Sequence, residues 1–355
     1  MSQREWTASF ESKCRFTHEL YWELFSTLTA VTLGHHGQDA LTSVQWNMVR
    51  RHQRNFFLPA LKKLGLENEK SDAIAAAKFH VLSNEIGGGL NVDYIEESPQ
   101  KVWIRYNPPS KFGSFVGATL PQVHNQFWAG WHAYNGRSLG NPRLGYVSCH
   151  MICQGDPYDA GYFKIYDHDL DPEECLQFSQ GERLPPVDPA VQPRLGEDWT
   201  PERRLRALRN YGVEFAYEIT RALLELFGVG GARALVEQAA AINTANHADE
   251  IIETLELKSF DAEGIATFIE RDRGLLEEEV EIEKVASDEY IVRQKARNPR
   301  LFSDPASLPV EIDEAFLKGW RIFLELVNRD LTVDMTQALS AGHSHYEWHI
   351  HPRSD

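Results

Sequence analysis

The sequence predicts an α+β protein in which one helix–hairpin–helix–hairpin domain, an antiparallel sheet packed against helices, occurs twice in tandem. Three observations predict it. Apolar runs at helical spacing give way to period-two alternation, without the βαβ order of a parallel sheet. Short matches recur in the same order along the 355 residues, pairing Gly34 with Gly228, Arg105 with Arg293, Gly130 with Gly319 and Ile165 with Ile350. A stretch holding Pro172, Pro185, Pro186, Pro189 and Pro193 separates the two sets and reads as a semi-rigid linker. The expected boundaries are 12–170 for the first copy, 171–200 for the linker and 201–351 for the second copy.

Each copy is expected to open on two helices, over 17–33 and 38–64 in the first and 201–227 and 232–248 in the second. Thr200, Pro201 and Glu202 supply an N-cap, a first-position proline and an early acidic residue for the third of these. A hairpin follows, over 91–106 with a turn at Ser98 and Pro99, or over 280–293 with a turn at Ser287 and Asp288. A further helix carries the pattern Phe127-Trp128-Ala129-Gly130-Trp131, matched by Phe316-Leu317-Lys318-Gly319-Trp320, and a closing hairpin ends the unit.

Composition removes several function classes. The 36 Lys and Arg stand against 52 Asp and Glu, a net charge of −16, which argues against a nucleic-acid partner because phosphate neutralisation needs a basic surface. No apolar run approaches the roughly 18 residues a membrane helix requires, so no membrane partner is expected. Cys14, Cys149, Cys153 and Cys175 form no CxxC pair, and reduced thiols in a cytoplasmic protein are the simplest reading. A homo-oligomer is left open.

Two motif-like strings fail on context. Gly136-Arg137-Ser138-Leu139-Gly140 has a helix before it and Asn141-Pro142 after it, whereas a nucleophile elbow needs a strand before and a helix after. Gly87-Gly88-Gly89 lacks the Lys-Ser/Thr and helix start of a phosphate loop, so a hinge is expected there and no nucleotide cofactor anywhere.

Histidine provides the better lead. Over 343–351, strand alternation puts His343, His345, Glu347, His349 and His351 on one face and Tyr346, Trp348 and Ile350 on the other. The apolar face reads as core. The other carries the ligand types that zinc, iron or manganese prefer, so His343, His345, Glu347 and His349 are the expected ligands of a divalent metal. His345, Glu347 and His349 are the expected catalytic groups, and the alternative is a solvent-facing polar edge. In the first copy His124, Trp128 and His132 fall at spacing four with Trp131 alongside, and would line an aromatic ligand pocket. The alternative for them is amphipathic packing with histidine tips at the surface. Cys149, Met151 and Cys153 share one face of a strand over 146–153 and His150 the other, which argues against a Cys-His nucleophile.

The leading helices through 34–41 and the closing pattern from Gly342 through Glu347-Trp348-His349-Ile350 resemble the small bacterial proteins grouped with L-2-amino-thiazoline-4-carboxylic acid hydrolase. A more remote likeness is to 4-vinyl reductase-type ligand-binding domains. The resemblance implies an α+β domain with a pocket between helices and sheet, and a hydrolase that opens a carbon–nitrogen bond in a small ring. The cysteine that the family places before the hairpin aromatic is absent from both copies, where Glu347 and Tyr162 stand. The function expected from the sequence is therefore a small-molecule hydrolase, and its alternative is a non-catalytic protein that binds an apolar or aromatic small molecule.

Overall fold

The computed structural model describes residues 6–87, 90–108, 116–301 and 308–353. Helix α1 (Phe10–Lys63) is broken at Gly37, where φ is 78° and ψ −178°. A left-handed φ costs little without a Cβ, so the glycine ends one helix and starts the next. Gly228 (φ 66°, ψ −179°) does the same inside α5 (Pro201–Asn246). The paired leading helices expected from the sequence are thus present in both places.

The chain forms two compact units, one from residues 32–211 and one from residues 1–31 together with 212–355. We call them the central unit and the split unit. Helix α1 gives its residues through Val31 to the split unit and the remainder to the central unit. Helix α5 gives its residues through Tyr211 to the central unit and the rest to the split unit.

The central unit holds α2 (Asp72–Gly87) and strands β1 (Asn91–Ser98), β2 (Lys101–Asn107), β3 (Leu144–His150), β4 (Asp159–Ile165) and β5 (Leu176–Phe178), in sheet order β1-β2-β4-β3-β5. All pairings are antiparallel except β3 with β5. Strand β5 lies in the proline-rich stretch expected to be a linker and adds an edge to the sheet. Before β3 come α3 (Pro121–Phe127), a π-helical turn (Trp128–His132) and α4 (Asn135–Ser138). Ile104, Tyr146 and Phe163 of the sheet pack on Ala76 and Val81 of α2 and on Trp128. Gly161 is required where β4 crosses β3, because a Cβ there would meet the Val147 carbonyl and the Tyr146 hydroxyl. Gly161→Ala is expected to cost about 1–3 kcal/mol of stability by overpacking, read as a lower denaturant midpoint.

The split unit holds α6 (Ala248–Thr254), α7 (Ala262–Leu275), β6 (Glu281–Ala286), β7 (Glu289–Gln294), α8 (Val310–Val327), β8 (Leu331–Gln337) and β9 (Tyr346–Pro352). Its sheet order is β6-β7-β9-β8, antiparallel throughout. Phe268 of α7, Phe323 of α8 and Tyr290, Val333 and Ile350 of the sheet form its core, with Phe16 of α1. Both expected hairpins are in place, turning after Ser98 and after Ala286.

Helices α2 and α7 are additions to the expected plan. Helix α2 buries residues on every side, Ala73 to Ala77 among them, so it carries no polar face and no helical period to read. Helix α7 is capped by Asp261, whose carboxylate accepts the Gly264 N–H at 2.8 Å. Strand β3 stops at His150, short of the expected Cys153. The Asp156 and Asp159 carboxylates take the Met151 and Ile152 N–H groups at 2.8 and 2.9 Å, and the chain turns through Gly155 at φ 97°. Burial pushes the Cys149 thiol up to about 12 and that of Cys153 to about 11, so neither is a thiolate near neutral pH. The 136–140 string forms the end of α4 and the turn into β3, with Ser138 accepting a hydrogen bond from Gln53. Gly88 and Gly89 of the expected hinge lie outside the described residues. Among the described residues no helix is long and apolar enough to cross a membrane.

Candidate functional site

The split unit holds a partly open cavity of about 120 Å³ between its helices and the inner face of its sheet. One wall is aromatic. Tyr346 and Trp348 alternate along β9 on the same face and stack at 5.7 Å with only 2° between their planes. Trp320 of α8 meets Trp348 edge-on at 5.1 Å, and Phe316, one turn earlier, packs on Tyr217 of α5 at 5.5 Å.

Two arginine–aspartate pairs enter this aromatic lining. Arg297, just after β7, donates to Asp313 Oδ1 of α8 at 2.7 Å. The other Asp313 oxygen accepts from the Tyr346 hydroxyl at 2.8 Å and the Ser340 hydroxyl at 2.5 Å, so the carboxylate is held from three sides. Arg273 of α7 donates to Asp272 through Nε and Nη2 at 3.1 and 2.6 Å, and its cation lies 5.0 Å from the Trp320 ring. Glu278 stands 3.7 Å from Arg273 Nη1 and fixes the 298 loop by accepting the Asn298 N–H at 2.9 Å.

Burial alone would lower the pKa of both arginines, but neighbouring anions outweigh it. Asp272 holds Arg273 above its ordinary value, and the Asp313 carboxylate with the flanking tyrosines does so for Arg297. Desolvation, with Asp313 beside it, raises the Tyr346 hydroxyl, which stays a hydrogen-bond donor. The cavity lining therefore carries two cations and two anions in fixed places. It offers a ligand both N–H donors and carboxylate acceptors against a flat aromatic wall.

The residues expected from the terminal histidine pattern lie elsewhere. Tyr346, Trp348 and Ile350 are buried, as the alternation predicted. On the opposite face each group has its own partner. Glu347 accepts from Arg293 at 2.6 Å and Thr336 at 2.8 Å, His349 faces Glu289 at 3.6 Å, and His351 faces Asp334 at 3.0 Å. His345 is 3.7 Å from Glu347, and His343 folds back on the Ala338 backbone in the turn before β9. His343, His345, Glu347 and His349 do not converge. Among the described residues no group of three or more His, Cys, Asp or Glu is arranged to hold a metal ion.

The other expected set does come together, in the central unit. His124, Trp128 and His132 are buried, so the histidine tips point inward and not to the surface. His132 stacks on His80 at 3.9 Å and meets the Tyr106 hydroxyl at 2.8 Å, while Trp131 donates to His52 Nδ1 at 3.0 Å. The π-helical turn explains the grouping, since the extra residue per turn brings Trp131 and His132 onto neighbouring inward faces.

Arg273, Arg297, Asp272 and Asp313 were not anticipated. A signal existed in α8, where Asp313, Phe316, Leu317 and Trp320 recur at i, i+3, i+4 and i+7, a charged residue heading an apolar stripe. No protein-family model matches the chain, and neither a curated protein nor a solved structure does so.

Proposed function

We propose that the split unit binds a small planar molecule, of single-ring size and without net charge, that carries a hydrogen-bond donor and an acceptor on one edge. The observation that carries this reading is the pairing of Arg297 with Asp313 and Arg273 with Asp272 along an aromatic-walled cavity. An apolar cavity of roughly 150 Å³ accommodates benzene, so about 120 Å³ suits one ring. Net charge on the ligand would unbalance two buried ion pairs, whereas a donor–acceptor edge complements both. Among the described lining residues there is neither histidine nor cysteine, which favours binding over the hydrolase reading.

Calorimetric titration tests this with a matched set: uracil and 2-pyridone as neutral rings, benzoate as the anion and benzamidine as the cation. The neutral rings are expected to bind at least tenfold more tightly than either ion, and Trp320→Ala to weaken them about tenfold. Preferential binding of an ion would overturn the reading.

We also infer that the two units descend from a duplication. The strand order β1-β2-β4-β3 matches β6-β7-β9-β8. A three-residue 3-10 turn ending in a left-handed glycine, Gly155 or Gly342, joins the last two strands of each. Counted from Pro121 and Val310, a phenylalanine stands seventh, a glycine tenth and a tryptophan eleventh in both.

A further inference from the structure

We propose that the central unit carries a second ligand site, in which His124 Nδ1 accepts a hydrogen bond from a small neutral lactam or cyclic amide and the Trp128 indole N–H donates one to it.

The His124–Asp159 pair is buried, with side chains 6 % and 7 % exposed. Asp159 is fixed on its other side by the Ile152 N–H at 2.9 Å. His124 Nε2 lies 3.2 Å from the Asp159 carboxylate. A carboxylate accepts, so Nε2 carries a proton, and in the neutral tautomer that this selects Nδ1 presents a lone pair.

That lone pair is the informative atom. His124 Nδ1 is buried and has no hydrogen-bond partner among the described residues, and the same holds for Trp128 Nε1 and Asn125 Oδ1. The three side chains fall within about 100° of arc on one helical stretch, and the His124 and Trp128 rings touch edge-on at 5.3 Å. A buried polar atom without a partner costs about 1–3 kcal/mol, and folded proteins rarely tolerate several together. The acceptor His124 Nδ1 and the donor Trp128 Nε1 on one helix face form a pair that a ring bearing N–H beside C=O satisfies.

Position in the unit makes the same point independently. His124 is the fourth residue counted from Pro121, and Asp159 is the first residue of β4. In the split unit the fourth residue of α8 is Asp313 and the first of β9 is Tyr346, and that pair, hydrogen-bonded at 2.8 Å, lines the cavity. The two places that line the cavity in one unit thus hold a paired imidazole and carboxylate in the other. A different chemistry at matching places implies a different way of reading the ligand, here through an imidazole Nδ1 and an indole N–H.

The probe is 2-pyridone, titrated into full-length protein labelled with 15N at histidine and tryptophan, with His124→Gln assigning the resonance. The expected result is an Nε2-protonated His124 whose Nδ1 signal, and the Trp128 indole signal, shift saturably. 1-Methyl-2-pyridone lacks the N–H and is expected to leave His124 Nδ1 unmoved. Trp128→Phe keeps the ring, deletes the donor and is expected to weaken the His124-detected affinity about tenfold. Trp320→Phe in the split unit is expected to leave that affinity unchanged, which separates this site from the cavity there. No shift at His124 up to the solubility of the probe, an equal response to the methylated ring, full affinity in Trp128→Phe, or loss in Trp320→Phe would each overturn the proposal.

Discussion

Arg297→Met is expected to lower the unfolding free energy by about 3–5 kcal/mol, because it leaves the Asp313 carboxylate buried without its cation. Asp313 would keep the hydroxyl donors of Tyr346 and Ser340, but two neutral hydrogen bonds do not replace a guanidinium at 2.7 Å. The double variant Arg297→Met, Asp313→Asn is expected to recover more than half of the loss. Asparagine still accepts from both hydroxyls and removes the stranded charge. Urea denaturation followed by tryptophan fluorescence reads both, since Trp320 and Trp348 belong to the same unit. A single variant within 1 kcal/mol of the parent would show that the pair adds nothing to the fold.

Acid is expected to destabilise the central unit as pH falls from 7 to 5. Burial holds His52 and His132 down to about 3, and burial together with His132 holds His80 well below its usual range. The unfolded chain takes up these protons near the ordinary value of 6.5 while the folded chain does not. The stabilisation is therefore complete above about pH 6.5 and is lost as pH falls from there towards 3. At pH 5 each such histidine has removed roughly 2 kcal/mol. Glu182 and Glu347 are held below their usual 4.5 and contribute only to losses at lower pH, so the interval from 7 to 5 isolates the histidines. Urea midpoints at the two pH values measure the effect, and His132→Gln is expected to flatten the slope. Identical midpoints at pH 7 and pH 5 would contradict neutral burial.

Local features were legible in the sequence. Glycines 37 and 228 follow apolar helical runs, and the chain breaks its helices at both. Alternation over 346–350 sorted Tyr346, Trp348 and Ile350 inward without error, because a half-buried strand writes its two faces into a period of two. Helix α2 could not be read in this way, since burial on all sides erases the period. The terminal histidines share a face, as alternation requires, yet sharing a face does not fix what lies across it. Glu289 and Asp334 come from the neighbouring strands β7 and β8, and cross-strand partners depend on register. The cavity was hidden for a related reason. Arg297 and Asp313 are 16 positions apart and meet only once α8 has packed on the sheet.

The split unit also sets an order of events during synthesis. Every residue of the central unit lies before position 212, so that unit is complete in sequence while the later part of the split unit is still to be made. The first helical stretch, with Phe16, Trp22 and Phe25, belongs to the split unit, and Tyr217, Trp320 and Trp348 of that unit come more than 185 residues later. Those early aromatic side chains are thus made long before the partners that bury them, Phe215 of α5 among them. A ribosome-bound chain stopped before residue 212 should therefore present a hydrophobic helix to chaperones, and Trp22 and Phe25 should become protected once Phe215 of α5 has emerged and packed on them.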